Sequence, residues 1–344
     1  MKMKQNQQRR KFLKRSAVAA SGIFVAGKLT GAPAIIKHLG SSYSKIKGVQ
    51  IGVQTYSFRS MDDQGAEATL QYIKDTGVTA IELMGGPAES FAGIPESSVD
   101  RRAFYQLRRK KRDEGLSTNE EKEMDEMQAA LDAYQKEVAE WRAKASMDAF
   151  VKFKKMYDAA GISIYAFKPS AFGKGNTDAE INYGFKAAKA LGASHVTLEH
   201  PSDDAHTQKL GKMAAKHKVK VAYHGHEQQT PTFWDTALEQ SKYNAMNPDM
   251  GHYIAAGNTD PLDFLKKYNQ NISSIHIKDR QTPENGKGNL LWGTGDTPIA
   301  EILTLMKENK YDFPATIELE YKIPEGSNAV QEVRKCLDFC EQSL

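Results

Sequence analysis

Eight β-like runs, separated by stretches of helical periodicity, constrain this chain more than any other feature. They are Ile51–Arg59, Val78–Gly86, Ile162–Pro169, Ser194–Pro201, Val219–Glu227, Tyr243–Tyr253, Ile272–Arg280 and Ala315–Tyr321. Each is rich in β-branched and aromatic residues and is bounded by Gly, Pro or polar clusters. Strands alternating with helices predict a parallel sheet, and eight such units predict a closed (β/α)8 barrel. An open doubly wound sheet lacks support, because no glycine-rich phosphate loop follows any run. The chain has 344 residues, ample for one such domain over residues 48–344.

The polar residues sit at the C-terminal ends of these runs. Five of the nine histidines (His200, His224, His226, His252 and His276) lie there, with Glu82, Glu199, Asp249 and Glu318. A barrel gathers these ends at one mouth. Packing so many imidazoles and carboxylates together is costly unless a cation compensates, and both groups are ligands of divalent ions. A single strand-end histidine is more often simply packed; the expectation here rests on convergence.

Residues 100–145 interrupt the rhythm after the second run. They predict two charged helices, Asp100–Glu114 and Asn119–Ala145, inserted at the top of the barrel. Leu107, Met124, Met127, Leu131 and Tyr134 form an apolar stripe suited to packing or to a homo-oligomer contact. The basic run Arg108–Arg112 reads as a solvated face. Residues 1–34 stand apart. Arg9-Arg10 opens a basic block, an apolar run spans Ser16–Ala26, and Ala32-Pro33-Ala34 offers a cleavage site, together a Tat-type signal for export to the periplasm. The apolar run is too short to span a bilayer, so no membrane span is expected after its removal. That segment holds eight of the 47 Lys and Arg and no acid, leaving 39 basic against 43 acidic residues. A net −4 gives no bias toward nucleic acid. Cys336 and Cys340 lie one helical turn apart and predict core contacts rather than a disulfide framework.

GVQTYSFR, YHGHE, DMGHYIAAG, IHIKDR and IELEY resemble the xylose isomerase-like barrels of the sugar phosphate isomerase/epimerase superfamily. That group includes ketose 3-epimerases, inosose dehydratase and, more distantly, endonuclease IV. The resemblance runs from Gly48 to the C-terminus, apart from the insertion. It implies one metal held from strands five to eight. Asp249, His276 and Glu318 match strands six to eight. On strand five His224 stands where the epimerases have a glutamate, which removes one of their two proton-shuttling carboxylates. A partner for Glu318 must then come from elsewhere, such as Glu199. His252 matches the end of the family's D-x-x-H pattern.

The expected chemistry is metal-assisted proton abstraction next to a carbonyl of a small sugar or keto-sugar, giving isomerisation or epimerisation. Expulsion of a β-leaving group from the same start makes a lyase or hydratase of 3-keto-glycosides. A sugar-binding barrel without catalysis is a third reading. His224, Asp249, His276 and Glu318 are the expected ligands, and Mn, Co, Zn and Mg all suit them. Glu318, Glu199, His252 and Lys278 are the expected catalytic groups. His226, Lys168, Arg280, Trp292 and Trp234 are the expected substrate contacts. Endonuclease-type chemistry would want more histidines on the early strands, which carry none.

Overall fold

The computed structural model describes residues 44–344. The expected export signal lies outside them. Eight parallel strands form the barrel: β1 Val49–Gln54, β2 Ala80–Met84, β3 Ser163–Lys168, β4 His195–Glu199, β5 Lys220–His224, β6 Asn244–Asn247, β7 Ile275–Ile277 and β8 Ala315–Ile317. The hydrogen-bonded order is β6-β5-β4-β3-β2-β1-β8-β7. The ring closes between β6 and β7 through parallel bridges at Met246–Ile272 and Asp249–His276. The chain is therefore a (β/α)8 barrel, as the alternating runs imply.

Twelve helices lie among the described residues: α1 Ala66–Thr76, α2 Gly85–Phe91, α3 Arg101–Asp113, α4 Thr118–Lys144, α5 Asp148–Ala159, α6 Asp178–Leu191, α7 Asp204–His217, α8 Asp235–Gln240, α9 Met250–Ala255, α10 Pro261–Tyr268, α11 Ile299–Glu308 and α12 Ala329–Ser343. Local chemistry sets their ends. Thr177 and Ser117 close capping boxes with Glu180 and Glu120, and Gly77 and Gly192 end α1 and α6 in the left-handed conformation. Outward residues such as Ile51, Val53, Ile81, Leu83, Val221 and Ile277 are fully buried beneath the helices. Each contributes about 1.5–3 kcal/mol. Cys336 and Cys340 are buried on α12. No described helix is long and apolar enough to cross a membrane.

The structure differs from the sequence reading at three loops. The first strand stops at Gln54, and Thr55–Phe58 is a 3-10 turn. Its side chains bind neighbouring strand ends, Met84 N donating to Thr55 Oγ1 and Leu319 N to Ser57 Oγ. Gly85-Gly86 opens helix α2 rather than a turn. The sixth strand stops at Asn247, because Asp249 caps α9 by accepting from His252 N. His252 therefore projects from a helix, not a strand.

Helix α4 is tied down by one buried cation. Arg142 reaches Glu89 on α2 at 3.0 Å, Glu180 on α6 at 3.3 Å and the Ser170 carbonyl at 2.9 Å. Helix α3 packs on α4, burying Phe104 with Met124 and Met127 half-buried nearby.

Candidate metal centre

His224 at the end of β5, Asp249 after β6, His276 on β7 and Glu318 after β8 converge at the C-terminal mouth. All four are buried, and one donor atom from each lies within 4.8 Å of the others. Two imidazoles and two carboxylates at that spacing fit a divalent ion.

Both imidazoles are oriented from behind. His224 Nδ1 meets Asn247 Oδ1 at 2.8 Å, so its Nε2 is the nitrogen free for a ligand. His276 Nε2 meets Glu82 Oε2 at 2.8 Å, which leaves Nδ1 facing Glu318 Oε2 at 3.0 Å and Asp249 Oδ2 at 3.9 Å. Backing of the second ring nitrogen by an oxygen is the usual arrangement around histidine ligands. Glu82 is itself fixed by Gln54 and Thr197. Asp249 spends Oδ1 on capping α9. Its buried Oδ2 takes no hydrogen bond, although Lys278 Nζ lies 2.9 Å away without the alignment for one.

Lys278 is the cation already at the centre. Its Nζ also lies 2.7 Å from both Glu318 Oε2 and Glu320 Oε2. A metal ion held here would have to share Asp249 and Glu318 with this ammonium. Gly251 makes the approach possible, since a Cβ there would meet Lys278 Cγ at 2.4 Å. Burial works to raise Glu318, but Lys278 and His276 outweigh it and hold Glu318 well below the usual carboxylate range. Burial lifts Asp249 to about 6 against the pull of Lys278. Burial, with His276 and Lys168 nearby, keeps His224 neutral.

The outer part of the mouth holds the other expected residues. Arg280 Nη1 donates to His252 Nδ1, and Nη2 donates to Glu227 Oε1 at 2.8 Å. His252 thus keeps its proton on Nε2, which lies 3.8 Å from Glu320. Burial, aided by Lys278, pushes His252 down to about 2, which favours the neutral imidazole. Glu199 stands at the rim, half-exposed, between Lys168 at 2.8 Å and His226 at 3.4 Å.

The two tryptophans lie elsewhere. Trp234 is 1% exposed, packs on Phe233 and Phe264, and donates from Nε1 to the Tyr223 carbonyl, so it is core rather than a sugar contact. Trp292 packs edge-on against Phe339 of α12, on the outer layer. The sequence reading gave no role to Gln54, Thr197 or Asn247, whose neutral side chains carry no ligand signal. Glu320 differs in that its spacing of two from Glu318 is a signal the sequence carries.

The loop after β7 contains a further anion cradle. The Asp279 carboxylate accepts from the amides of Gly293, Thr294 and Gly295 at 2.8–3.1 Å and from Thr297 at 3.3 Å.

An inosose dehydratase from Clostridium botulinum is 30% identical over 133 residues, which cover 33% of this chain and 44% of that protein. The chain thus matches less than half the length of that relative. The 3-keto-D-glucoside 4-epimerase YcjR from E. coli superposes with a TM-score of 0.53 at 12% identity, covering 86% of this chain and 99% of that one. The IOLI protein, solved with a zinc atom, superposes with a TM-score of 0.52 at 15% identity, covering 86% and 99%. At those identities the structural likeness is one of fold. The Xylose isomerase-like TIM barrel family model matches residues 70–340, and the chain belongs to that family.

Proposed function

We propose that this chain is a divalent-metal-dependent enzyme that removes a proton next to the carbonyl of a sugar or keto-sugar. The carrying observation is the buried set His224, Asp249, His276 and Glu318 with Lys278 among its carboxylates. These four would hold the ion, and the zinc in the IOLI protein supports that reading. Two histidines favour Zn, Mn or Co over Mg. When bound, the ion supplies Lewis-acid polarisation of the substrate carbonyl.

The residues do the rest. Glu318, a carboxylate of this set that faces Lys278, would accept the C–H proton. Lys278, kept protonated by Asp249, Glu318 and Glu320 against its burial, stabilises the developing oxyanion and can return a proton. Lys168, Glu199, His226 and Arg280 line the rim where hydroxyls would bind.

The outcome we favour is elimination, a dehydratase or lyase reaction on a keto-sugar or 3-keto-glycoside. Epimerisation uses a second proton-shuttling carboxylate opposite Glu318. Here β5 presents His224, with Nδ1 committed to Asn247. One base with one acid suffices for elimination. The inosose dehydratase match supports it; the keto-glucoside epimerase supports epimerisation as the second reading. We also infer export through the Arg9-Arg10 segment.

The test is incubation of metal-loaded protein with keto-sugars, 3-keto-glucosides and inososes in D₂O, followed by NMR. Metal-dependent exchange at one carbon next to a carbonyl, then loss of water or aglycone, is expected. Glu318→Gln should slow exchange about 10²- to 10⁴-fold. Inversion without loss would make it an epimerase. Sugar binding by calorimetry with no exchange on any substrate would leave a non-catalytic binding barrel.

A further inference from the structure

Interiors of such barrels are normally filled by layers of bulky branched side chains. Below the metal centre this one instead contains a line of polar groups. His224, Asn247, Ser274 and His195 are each at most 1% exposed. They connect in single file to Ser194, which is exposed at the start of β4.

Two backbone carbonyls determine which way every hydrogen bond in the line runs, because a carbonyl can only accept. At the lower end Ser194 Oγ donates to the Tyr165 carbonyl at 3.1 Å. Ser194 Oγ then accepts from His195 Nδ1 at 2.9 Å, which leaves a lone pair on His195 Nε2. Ser274 Oγ donates to that lone pair at 2.9 Å. At the upper end Asn247 Nδ2 faces the Ser274 carbonyl at 3.3 Å and donates to Ser274 Oγ at 2.8 Å. Asn247 Oδ1 is thereby turned toward His224 and can only accept, so His224 Nδ1 carries the proton. The directions derived from the two ends agree where they meet, at Ser274. Burial pushes His195 down to about 4, which keeps it the neutral acceptor this scheme needs.

We propose that His195, Ser274 and Asn247 are positioning residues that lock His224 in the Nδ1–H tautomer, with the Nε2 lone pair aimed into the metal centre. A neutral imidazole otherwise exchanges between two tautomers, and the wrong one presents N–H to the ion. The proposal rests on the metal reading only for its affinity consequence. The tautomer itself is a property of the metal-free protein.

Two measurements test it. Long-range ¹H–¹⁵N NMR of the metal-free wild-type protein reads the His224 tautomer with no substitution and no substrate. A protonated Nδ1 and an unprotonated Nε2 are expected; the reverse overturns the proposal. Ser274→Ala and His195→Phe should then mix the tautomers and weaken Zn or Co affinity about 10- to 100-fold. Ser274→Thr, which keeps the hydroxyl, should restore both. A variant that only loosens the core would lower stability and leave the ¹⁵N signature unchanged. An unchanged tautomer and an affinity within twofold of wild type in both variants would reject the role. If neither variant folds, the wild-type tautomer still decides. A correct tautomer with no metal bound would instead count against the proposed enzyme.

Discussion

Glu82 and His276 show how a single pair conditions the centre. Burial opposes both charges. Yet His276 holds Glu82 down to about 2, and Glu82 with Glu318 holds His276 up to about 10. In the metal-free protein the imidazolium contribution is complete below the ordinary histidine value of 6.5 and is lost as pH rises through about 10. The carboxylate contribution is complete above the ordinary 4.5 and is lost as pH falls through about 2. Urea unfolding of metal-free Glu82→Gln should therefore show its greatest deficit, about 3–5 kcal/mol, between those two ordinary values. The deficit should shrink toward alkaline pH; one independent of pH would reject the pairing. Histidines and carboxylates at strand ends were legible from the sequence because their type and position both carry meaning. Asn247, Ser274 and His195 were not, because amides, hydroxyls and core histidines look alike until a direction of donation is known. Trp234 misled because a loop position says nothing of where its ring goes.

At the level of elements, the period-two runs and helix caps made the barrel readable. Two strand ends were not readable. Thr55–Phe58 and Met250–Ala255 continue the alternation of the preceding strands, while in space Thr55 and Ser57 bind amides at the end of β2 and just past β8, and Asp249 caps α9. The partners of Thr55 and Ser57 are distant in sequence and leave no local signal, whereas Asp249 caps a nearby amide, a local signal that the alternation masks. Helix α4 offers the element-scale prediction. Arg142 is its one buried cation, and removing it strands Glu89 and Glu180. Arg142→Met should cost about 3–5 kcal/mol in urea unfolding. Adding Glu89→Gln and Glu180→Gln should recover much of that loss. Recovery of none would mean that α4 is held by packing alone.

For the whole molecule, the proposed export is tested by Arg9→Lys with Arg10→Lys. The double variant should stay in the cytoplasmic fraction while the unchanged chain reaches the periplasm, and equal export of both would remove that signal. An exported enzyme meets mainly unphosphorylated sugars, and the Asp279 cradle bears on that choice. Loops after strands seven and eight are where such barrels commonly grip a phosphate through backbone amides. Here four amides already hold a carboxylate that the chain itself supplies. A tethered anion competes with any free one as an intramolecular partner, at an effective concentration set by its short tether. The Asp279 carboxylate thus occupies amides that an outside anion would have to win from it, which is in keeping with the proposal of an unphosphorylated substrate.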